Sequence, residues 1–187
     1  MVAESIEMYT DGSALNNPGL AGYGFIIRYW TDSNYAIEKQ ISVGKAFSKS
    51  TNNRMEIMGV LNGLKRVIEE FDNKLFEGVN QVDVYSDSKY IVNTINAGWL
   101  RNWMQNNWMT SGYKGKAPGP VKNKDLWEDF LTVEDELKKR QIKYTISFIK
   151  GHDGLIWNEA VDKLATTASK NGPYEVDEGF EQSNKYR

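Results

Sequence analysis

Alternating polar and apolar residues open the chain and predict a β-strand over residues 5–10. Ile6, Met8 and Thr10 occupy alternate positions, so their side chains would form the buried face of this strand. Asp-Gly-Ser and then Asn-Asn-Pro-Gly follow, and these residues are typical of turns. Asp11 is therefore predicted at the end of the strand. Taken alone, the pattern fits an ordinary turn aspartate as well as a carboxylate that a rigid sheet presents to a ligand.

Further periodic segments predict an α/β fold built on one mixed sheet. Two antiparallel strands are predicted at 22–30 and 35–47, and two parallel strands are predicted at 81–86 and 142–149. Apolar residues at helical spacing predict amphipathic helices at 53–71, 88–97, 125–140 and from Asn158 to Gly172. The first of these helices carries Gly59 and Gly63, which would let it pack close to the sheet. The order of elements predicts a five-stranded sheet, three antiparallel strands and then two parallel ones, flanked by helices.

The composition is that of a globular protein with one domain. Of 187 residues, 40% are hydrophobic and 26% are charged, and the net charge is −2, so a nucleic-acid surface would have to be local. The absence of cysteine excludes disulfides and thiolate metal sites. No apolar run approaches the roughly 20 residues that span a bilayer, and no signal peptide is recognisable. We therefore expect a cytoplasmic protein with no membrane partner.

Residues 173–187 differ from the rest of the chain. They are polar and acidic and show no clear periodicity. We expect a domain at residues 1–172 that is followed by a flexible C-terminal tail.

Four acidic residues occupy comparable places in these elements. Asp11 and Asp87 lie at predicted strand ends, Glu56 lies early in a helix, and Asp162 lies in the first turn of the last helix. Magnesium prefers oxygen ligands, and two such ions about 4 Å apart can stabilise both the attacking and the leaving oxygen of a phosphodiester. Crowded carboxylates repel unless a cation neutralises them, so their convergence would indicate a metal site. Spacing alone leaves open that each has a local role, such as Asp162 interacting with its helix dipole.

Residues 99–124, the handle segment, combine aromatic side chains with cations and contain no Asp or Glu. Trp99 and Trp103 are four residues apart and would share one helix face. Core packing would account for one or two of the tryptophans. Aromatic faces with interleaved cations also form surfaces for a sugar–phosphate backbone and its bases. The cations are Arg101, Lys114, Lys116, Lys122 and Lys124.

Four sequence blocks resemble type 1 ribonuclease H, the bacterial kind with a basic handle. They occur in the order and spacing of that family over roughly residues 4–172: Tyr-Thr-Asp-Gly-Ser at 9–13, Thr-Asn-Asn-Arg-Met-Glu at 51–56, Tyr-Ser-Asp-Ser at 85–88, and Lys-Gly-His at 150–152 with Asn-Glu-Ala-Val-Asp-Lys-Leu-Ala at 158–165. The resemblance implies the ribonuclease H fold for residues 1–172. It also implies cleavage of the RNA strand of RNA–DNA hybrids with two Mg²⁺ ions, for which Mn²⁺ could substitute. The products would carry 3′-hydroxyl and 5′-phosphate ends, and we expect a monomer.

The resemblance also implies roles for individual residues. The metal-binding carboxylates would be Asp11, Glu56, Asp87 and Asp162. His152 is the only histidine. A lone histidine is more often a structural or surface residue than a catalytic one. His152 matches the family's loop histidine, however, and by the resemblance would assist proton transfer or product departure. Side chains that contact the hybrid would recognise the 2′-hydroxyl and the phosphates. These are Asn17, Lys49, Thr51, Asn52, Asn53, Tyr90, Trp99, Trp103 and Asn123.

The chain departs from the family pattern in two places, position 89 and the pair 104–105. Lys89 stands where Gln is usual, and Met104-Gln105 stand where the handle often carries paired lysines, so weaker binding is expected. A transposase or integrase core would share the fold and the strand-end acids, but it gives no reason for the Thr-Asn-Asn block at 51–53. A non-catalytic hybrid-binding module would not need the complete acidic set.

Overall fold

A six-stranded sheet forms the centre of the protein, for which a computed structural model describes residues 5–30, 38–112, 117–150 and 155–184. The strands are β1 Ser5–Ala14, β2 Gly19–Trp30, β3 Glu38–Ser50, β4 Gln81–Ser86, β5 Lys143–Phe148 and β6 Tyr174–Glu175. Their order across the sheet is β5-β4-β1-β2-β3-β6. β1, β2 and β3 pair antiparallel, whereas β4 and β5 pair parallel in line with β1. The predicted five-stranded arrangement is confirmed, and β6 extends it by pairing parallel with β3.

Helices cover both faces of this sheet. They are α1 Asn52–Asp72, α2 Lys89–Asn96, α3 Trp99–Gln105, α4 Lys124–Lys139, α5 Ile156–Asn171 and α6 Glu178–Asn184. Neighbouring residues of a strand point to opposite faces. In β2 the position of Gly24 faces Leu164 of α5, whereas the ring of Phe25 lies beside Gly63 of α1, so α1 and α5 lie on opposite faces. No helix in the described part of the chain is long and apolar enough to cross a membrane.

The first helix lies directly on β1. Ile57, Leu61 and Leu64 are almost fully buried, and burying each such side chain contributes about 1.5–3 kcal/mol. A side chain at Gly63 would overlap Met8, and one at Gly59 would touch the backbone oxygen of Asp11 at 3.4 Å. The predicted close packing at these two glycines is confirmed, and it fixes the distance of α1 from the strand that carries Asp11.

Several element boundaries differ from the sequence prediction. β1 continues through Asp11 to Ala14, because its backbone pairs with β2 as far as Ala21. Asp11 therefore lies within a strand, and only residues 15–18 form the turn. β3 extends to Ser50, beyond the predicted end at residue 47. The last helix begins at Ile156 instead of Asn158, which places Asp162 in its second turn instead of its first.

The C-terminal segment also differs from the flexible tail that the sequence suggests. Residues 174–184 form β6 and α6, and Asp177 and Phe180 are buried. The carboxylate of Asp177 pairs with the guanidinium of Arg54, 123 residues earlier in the chain. Because this contact joins residues that are far apart in the chain, the segment itself shows no periodic pattern from which its structure could be predicted.

Candidate active site

The register between β1 and β4 brings two of the predicted acids together. Their parallel pairing runs from Ser5 with Gln81 to Thr10 with Ser86. Asp11 directly follows Thr10 and Asp87 directly follows Ser86, so both side chains lie at the same edge of the sheet. In a parallel pair this edge is the carboxyl end of the strands, where ligand sites of open α/β sheets commonly lie.

Gly12 brings the third acid to the same point. A Cβ at this position would overlap the backbone of Met55 and Glu56, so glycine allows α1 to touch β1 here. Glu56 begins the second turn of α1 and is nearly fully buried. One carboxylate oxygen each from Asp11, Glu56 and Asp87 lies within 4.8 Å of the other two.

Burial makes the anionic forms of these acids costly. It raises the pKa of Asp11 from its usual 3.8 to about 8, with the charge of Asp87 as the next cause. The amide of Gly12 opposes this shift by donating a hydrogen bond to Oδ1 of Asp11 at 2.8 Å. The pKa of Glu56 is also raised well above its usual value, mainly by burial and then by the charges of Asp11 and Asp87.

These residues fit a divalent cation. The donor set consists of carboxylate oxygens, which Mg²⁺ and Mn²⁺ prefer. The buried Oε2 of Glu56 has no hydrogen-bond partner among the described residues, and an unpaired buried polar atom is costly. A bound cation would give this oxygen a partner and remove the repulsion that raises the two pKa values.

Asp162 approaches the cluster from α5 without belonging to its tightest part. It is half-buried in the second turn of the helix. Both its charge and a hydrogen bond with Asp11 raise the pKa of Asp11 further. The close approach of α5 depends on Gly22 and Gly24 in β2, where a side chain would press against residues 164–169 of the helix. His152 lies outside the described residues.

Several residues that are predicted to contact substrate line one cleft of about 800 Å³. This cleft lies at the beginning of α1 and of α4. Oδ1 of Asn17 accepts a hydrogen bond from the backbone amide of Asn52 at 2.9 Å, which joins the 15–18 turn to the start of α1. The hydroxyl of Thr51 caps the same helix by accepting from the amide of Arg54 at 3.3 Å. The predicted residues in the cleft lining are Asn17, Thr51, Asn53 and Asn123, and Lys49 is exposed two residues before Thr51.

Comparisons with known proteins agree with this geometry. The family model for RNase H matches residues 3–170. The chain belongs to the ribonuclease H family. Ribonuclease HI from Synechocystis is 39% identical over 176 residues, which cover 94% of each chain.

Two solved ribonuclease H structures are similar over most of the chain. LC9-RNase H1, described as a type 1 RNase H with the type 2 active-site motif, is 26% identical with a TM-score of 0.65, covering 98% of this chain and 82% of that one. LC11-RNase H1, solved in complex with RNA/DNA hybrid, is also 26% identical, with a TM-score of 0.58 and coverage of 88% and 96%.

A row of aromatic rings runs from the handle segment of this ribonuclease H into the core. Trp99 is 41% exposed, and its ring centroid lies 6.5 Å from that of Trp103. Trp103 in turn lies 6.3 Å from Trp127, which is fully buried. Nε1 of Trp127 donates a hydrogen bond to the hydroxyl of Tyr90 at 3.0 Å. The inner rings are therefore packed in the core, whereas the ring of Trp99 is accessible from solvent.

Trp127 belongs to this row of aromatic rings, although the sequence pattern did not identify it as a member. The residue lies in α4, beyond the handle segment, and forms an edge contact with Phe130 at 5.8 Å. Its spacing of three from Phe130 puts both residues on the buried face of α4. Its contact with Tyr90 joins α4 to α2 and could not be seen from helical spacing.

Acids from α4 offset part of the positive charge of the handle. Arg101 lies 3.4 Å from Glu134, and Lys124 lies 3.5 Å from Glu128. The ammonium of Lys124 also lies 5.6 Å from the ring centre of Trp108. Lys122 is exposed and lines the cleft, whereas Lys114 and Lys116 lie outside the described residues. Lys89, the departure beside Asp87, is exposed with its ammonium 5.5 Å from the ring centre of Phe148.

Proposed function

We propose that this protein is an endoribonuclease that cleaves the RNA strand of RNA–DNA hybrids and leaves 3′-hydroxyl and 5′-phosphate ends. The observation that carries the proposal is the convergence of Asp11, Glu56 and Asp87 within 4.8 Å in a chain of the ribonuclease H family. Likeness to LC11-RNase H1, whose structure contains an RNA/DNA hybrid, supports the hybrid as the substrate.

We assign Asp11, Glu56, Asp87 and Asp162 to binding two Mg²⁺ ions, with Mn²⁺ as a substitute. When bound, the ions would supply Lewis-acid stabilisation of the charge that develops on the phosphodiester. The protein contributes a carboxylate set whose positions are fixed before substrate arrives. Because β1 and β4 are paired through Thr10 and Ser86, little reorganisation is needed during the reaction, and such preorganisation is a large part of electrostatic catalysis.

We assign proton transfer, or assistance to product departure, to His152. An unperturbed imidazole titrates near pH 6.5 and can exchange protons near neutrality. His152 lies ten residues before Asp162 in the chain, in the segment that leads into α5. This assignment rests on the sequence match.

We assign substrate contact to the cleft and the handle. The hydroxyl and amides of Asn17, Thr51 and Asn53 can both donate to and accept from a ribose 2′-hydroxyl, which distinguishes RNA from DNA. Oδ1 of Asn17 is engaged with Asn52, which leaves its amide NH₂ to donate toward substrate. Lys49, Asn52 and Asn123 belong to the same surface. Trp99, Trp103 and Tyr90 would hold the DNA strand, with Trp99 as the accessible ring.

A cleavage assay with matched duplexes tests the proposal. One labelled RNA sequence is incubated with the protein and Mg²⁺ as a single strand, as an RNA duplex and as an RNA–DNA hybrid, alongside a DNA duplex of the same sequence. We expect cleavage of the hybrid alone and none after chelation of the metal. Nicking of the DNA duplex would favour a transposase-like core. Binding of the hybrid without cleavage would favour a non-catalytic module.

A further inference from the structure

The residues from Tyr174 to Asn184, which we call the C-terminal arm, are held at the start of α1 by a buried ion-pair network. Nε of Arg54 donates to Oδ2 of Asp177 at 2.7 Å, and Nη2 donates to Oδ1 at 2.8 Å. The same guanidinium donates to both oxygens of Asp125 in α4, at 2.9 and 2.7 Å. The hydroxyl of Ser50 donates to Asp177 at 2.6 Å. One arginine thus joins the arm to α1 and α4.

The arm is shaped to fit against this network. The backbone amide of Phe180 donates to Oδ1 of Asp177 at 3.1 Å, and the ring of Phe180 is buried. A side chain at Gly179 would overlap the guanidinium of Arg54 and the carboxylate of Asp125. Glycine therefore lets α6 lie directly on the ion pairs.

This placement makes the arm one side of the cleft described above. Gln182 and Ser183 line the cleft together with Thr51, Asn53, Asn123 and, from the handle segment, Lys122. Asp125 also belongs to the lining, where Arg54 neutralises its charge. Apart from the buried Asp177, the acids of the arm are exposed and do not belong to the cleft lining; they are Glu175, Glu178 and Glu181. The arm thus presents a neutral amide and a hydroxyl to the cleft, although its net charge is negative.

A neutral polar wall suits a polyanionic ligand. An acid facing the cleft would repel a phosphodiester, whereas an amide NH₂ can donate to a phosphate or sugar oxygen. Ser183 already donates its hydroxyl to the backbone oxygen of Phe180 at 2.8 Å, so Gln182 is the main free donor on this wall.

We propose that the C-terminal arm is a wall of the hybrid-binding cleft, in which Gln182 faces the sugar–phosphate backbone of the bound hybrid. In this arrangement Asp177 is a positioning residue that holds the arm through Arg54. The inference rests on the proposed function for the identity of the ligand.

Charge substitutions at Gln182 test the wall directly. Gln182→Lys should lower the dissociation constant for an RNA–DNA hybrid and steepen the log–log salt dependence by up to about 0.9, the value for one phosphate contact. Gln182→Glu should raise the dissociation constant and KM, with kcat at saturating hybrid retained. Melting temperatures should stay within about 2 °C of the wild type, because exposed substitutions seldom alter stability.

Gln40 offers a matched control. It is also exposed, but it lies near the start of β3, ten residues before Ser50, which corresponds to roughly 33 Å along the strand. Gln40→Lys and Gln40→Glu add the same charges far from the cleft and should leave the affinity and the salt slope near the wild-type values. Equal effects at positions 182 and 40 would overturn the inference, because the arm would then act only through net charge.

Asp177→Asn tests the positioning role. Removing the negative charge should free the arm from Arg54, raise KM for the hybrid and preserve kcat. Asp177→Glu, which keeps the charge, should restore part of the affinity. A lowered melting temperature with an unchanged KM would show that Asp177 only stabilises the fold and would overturn this part. If the wild type itself fails to cleave the hybrid, the proposed function is wrong, while the comparison of Gln182 with Gln40 still reports on binding.

Discussion

At the scale of single residues, the site concentrates carboxylates where burial disfavours their charge. Asp11 and Glu56 are both buried, and the pKa of each is raised, first by burial and then by a neighbouring acid. Such a cluster lowers the stability of the folded protein when it is ionised without a cation. It also favours the binding of a cation, because the cation neutralises the repulsion between the acids. Metal affinity and metal-free stability should therefore vary in opposite directions when these acids are changed.

The pH dependence of the metal-free protein follows from the Asp11 carboxyl. Its pKa is near 3.8 when exposed and about 8 in the folded protein, so the folded state binds a proton more tightly than the unfolded state does. Its contribution to stability is then complete below about pH 4 and is lost as the pH rises towards 8. The melting temperature in chelator should fall more steeply over this window for the wild type than for Asp11→Asn. Parallel curves for the two proteins would contradict the assignment.

Neutralising Asp87 should have a related effect on stability. In chelator at neutral pH, Asp87→Asn should match or exceed the wild-type melting temperature, because one of several crowded anions is removed. Asp83→Asn is a matched control in β4, the strand that leads to Asp87. The Asp83 carboxylate accepts hydrogen bonds from Thr145 at 2.8 Å and Gln81 at 2.9 Å, so its loss should not raise stability. Calorimetry measures both, and a strongly destabilised Asp87→Asn would indicate a structural role instead.

The role assigned to His152 predicts a partial loss of activity. Proton transfer by a positioned side chain typically contributes 10²- to 10⁴-fold. His152→Ala should therefore reduce kcat by a factor in that range, with the hybrid dissociation constant nearly unchanged. Titration calorimetry should give wild-type Mg²⁺ affinity for this variant. A marked loss of that affinity would identify His152 as a metal ligand and contradict the assignment.

At the scale of elements, α2, α3 and α4 form a unit in which aromatic rings connect the surface at Trp99 to the core. The hydrogen bond from Trp127 to Tyr90 joins α4 to α2, and the tilted ring pair of Trp99 and Trp103 lies on α3. A rigid support of this kind lets an exposed ring contact substrate without a large loss of side-chain entropy. Charge and stacking should then make separable contributions to binding.

Two handle variants separate these contributions. Lys122→Ala should weaken hybrid binding and flatten the log–log salt slope by about 0.9, because one phosphate contact is lost. Trp99→Ala should weaken binding without flattening the slope, since stacking releases no counterions. Lys139→Ala removes an exposed charge at the far end of α4, where it pairs with Glu136 at 2.6 Å, and should change neither quantity. A slope unchanged by Lys122→Ala would place the hybrid backbone elsewhere.

Elements with regular periodicity were the ones that sequence reasoning could predict. The apolar spacing of Ile57, Leu61 and Leu64 defined α1, and the alternation around Met8 defined β1. Boundaries were less certain, because backbone pairing with β2 carries β1 through Asp11 in spite of the turn-forming residues that follow. For β1 the missing information was this contact between strands.

For the site, too, some features could be predicted from the sequence and others depend on contacts between elements. The four acids could be singled out from their positions in the chain and from the family resemblance, whereas their separation depends on the β1–β4 register and on the contact of Gly12 with α1. The C-terminal arm was missed for a related reason. Asp177 resembles any acid of a polar tail until Arg54 is placed beside it.

At the scale of the whole molecule, three parts of the chain meet at one edge of the sheet. The strands supply Asp11 and Asp87, the start of α1 supplies Glu56 and the polar residues of the cleft, and the C-terminal arm borders that cleft beside the handle. The acidic cluster and the polar cleft are thereby carried on one framework.

The most direct test of the central claim is single-turnover cleavage of an end-labelled RNA strand in an RNA–DNA hybrid, with the wild type and Asp87→Asn at equal concentrations in Mg²⁺. The wild type should give RNA fragments with 3′-hydroxyl and 5′-phosphate ends and leave the DNA strand intact. Asp87→Asn should bind the hybrid and give no fragments. Intact RNA after incubation with folded wild-type protein, or equal cleavage by the two proteins, would contradict the account.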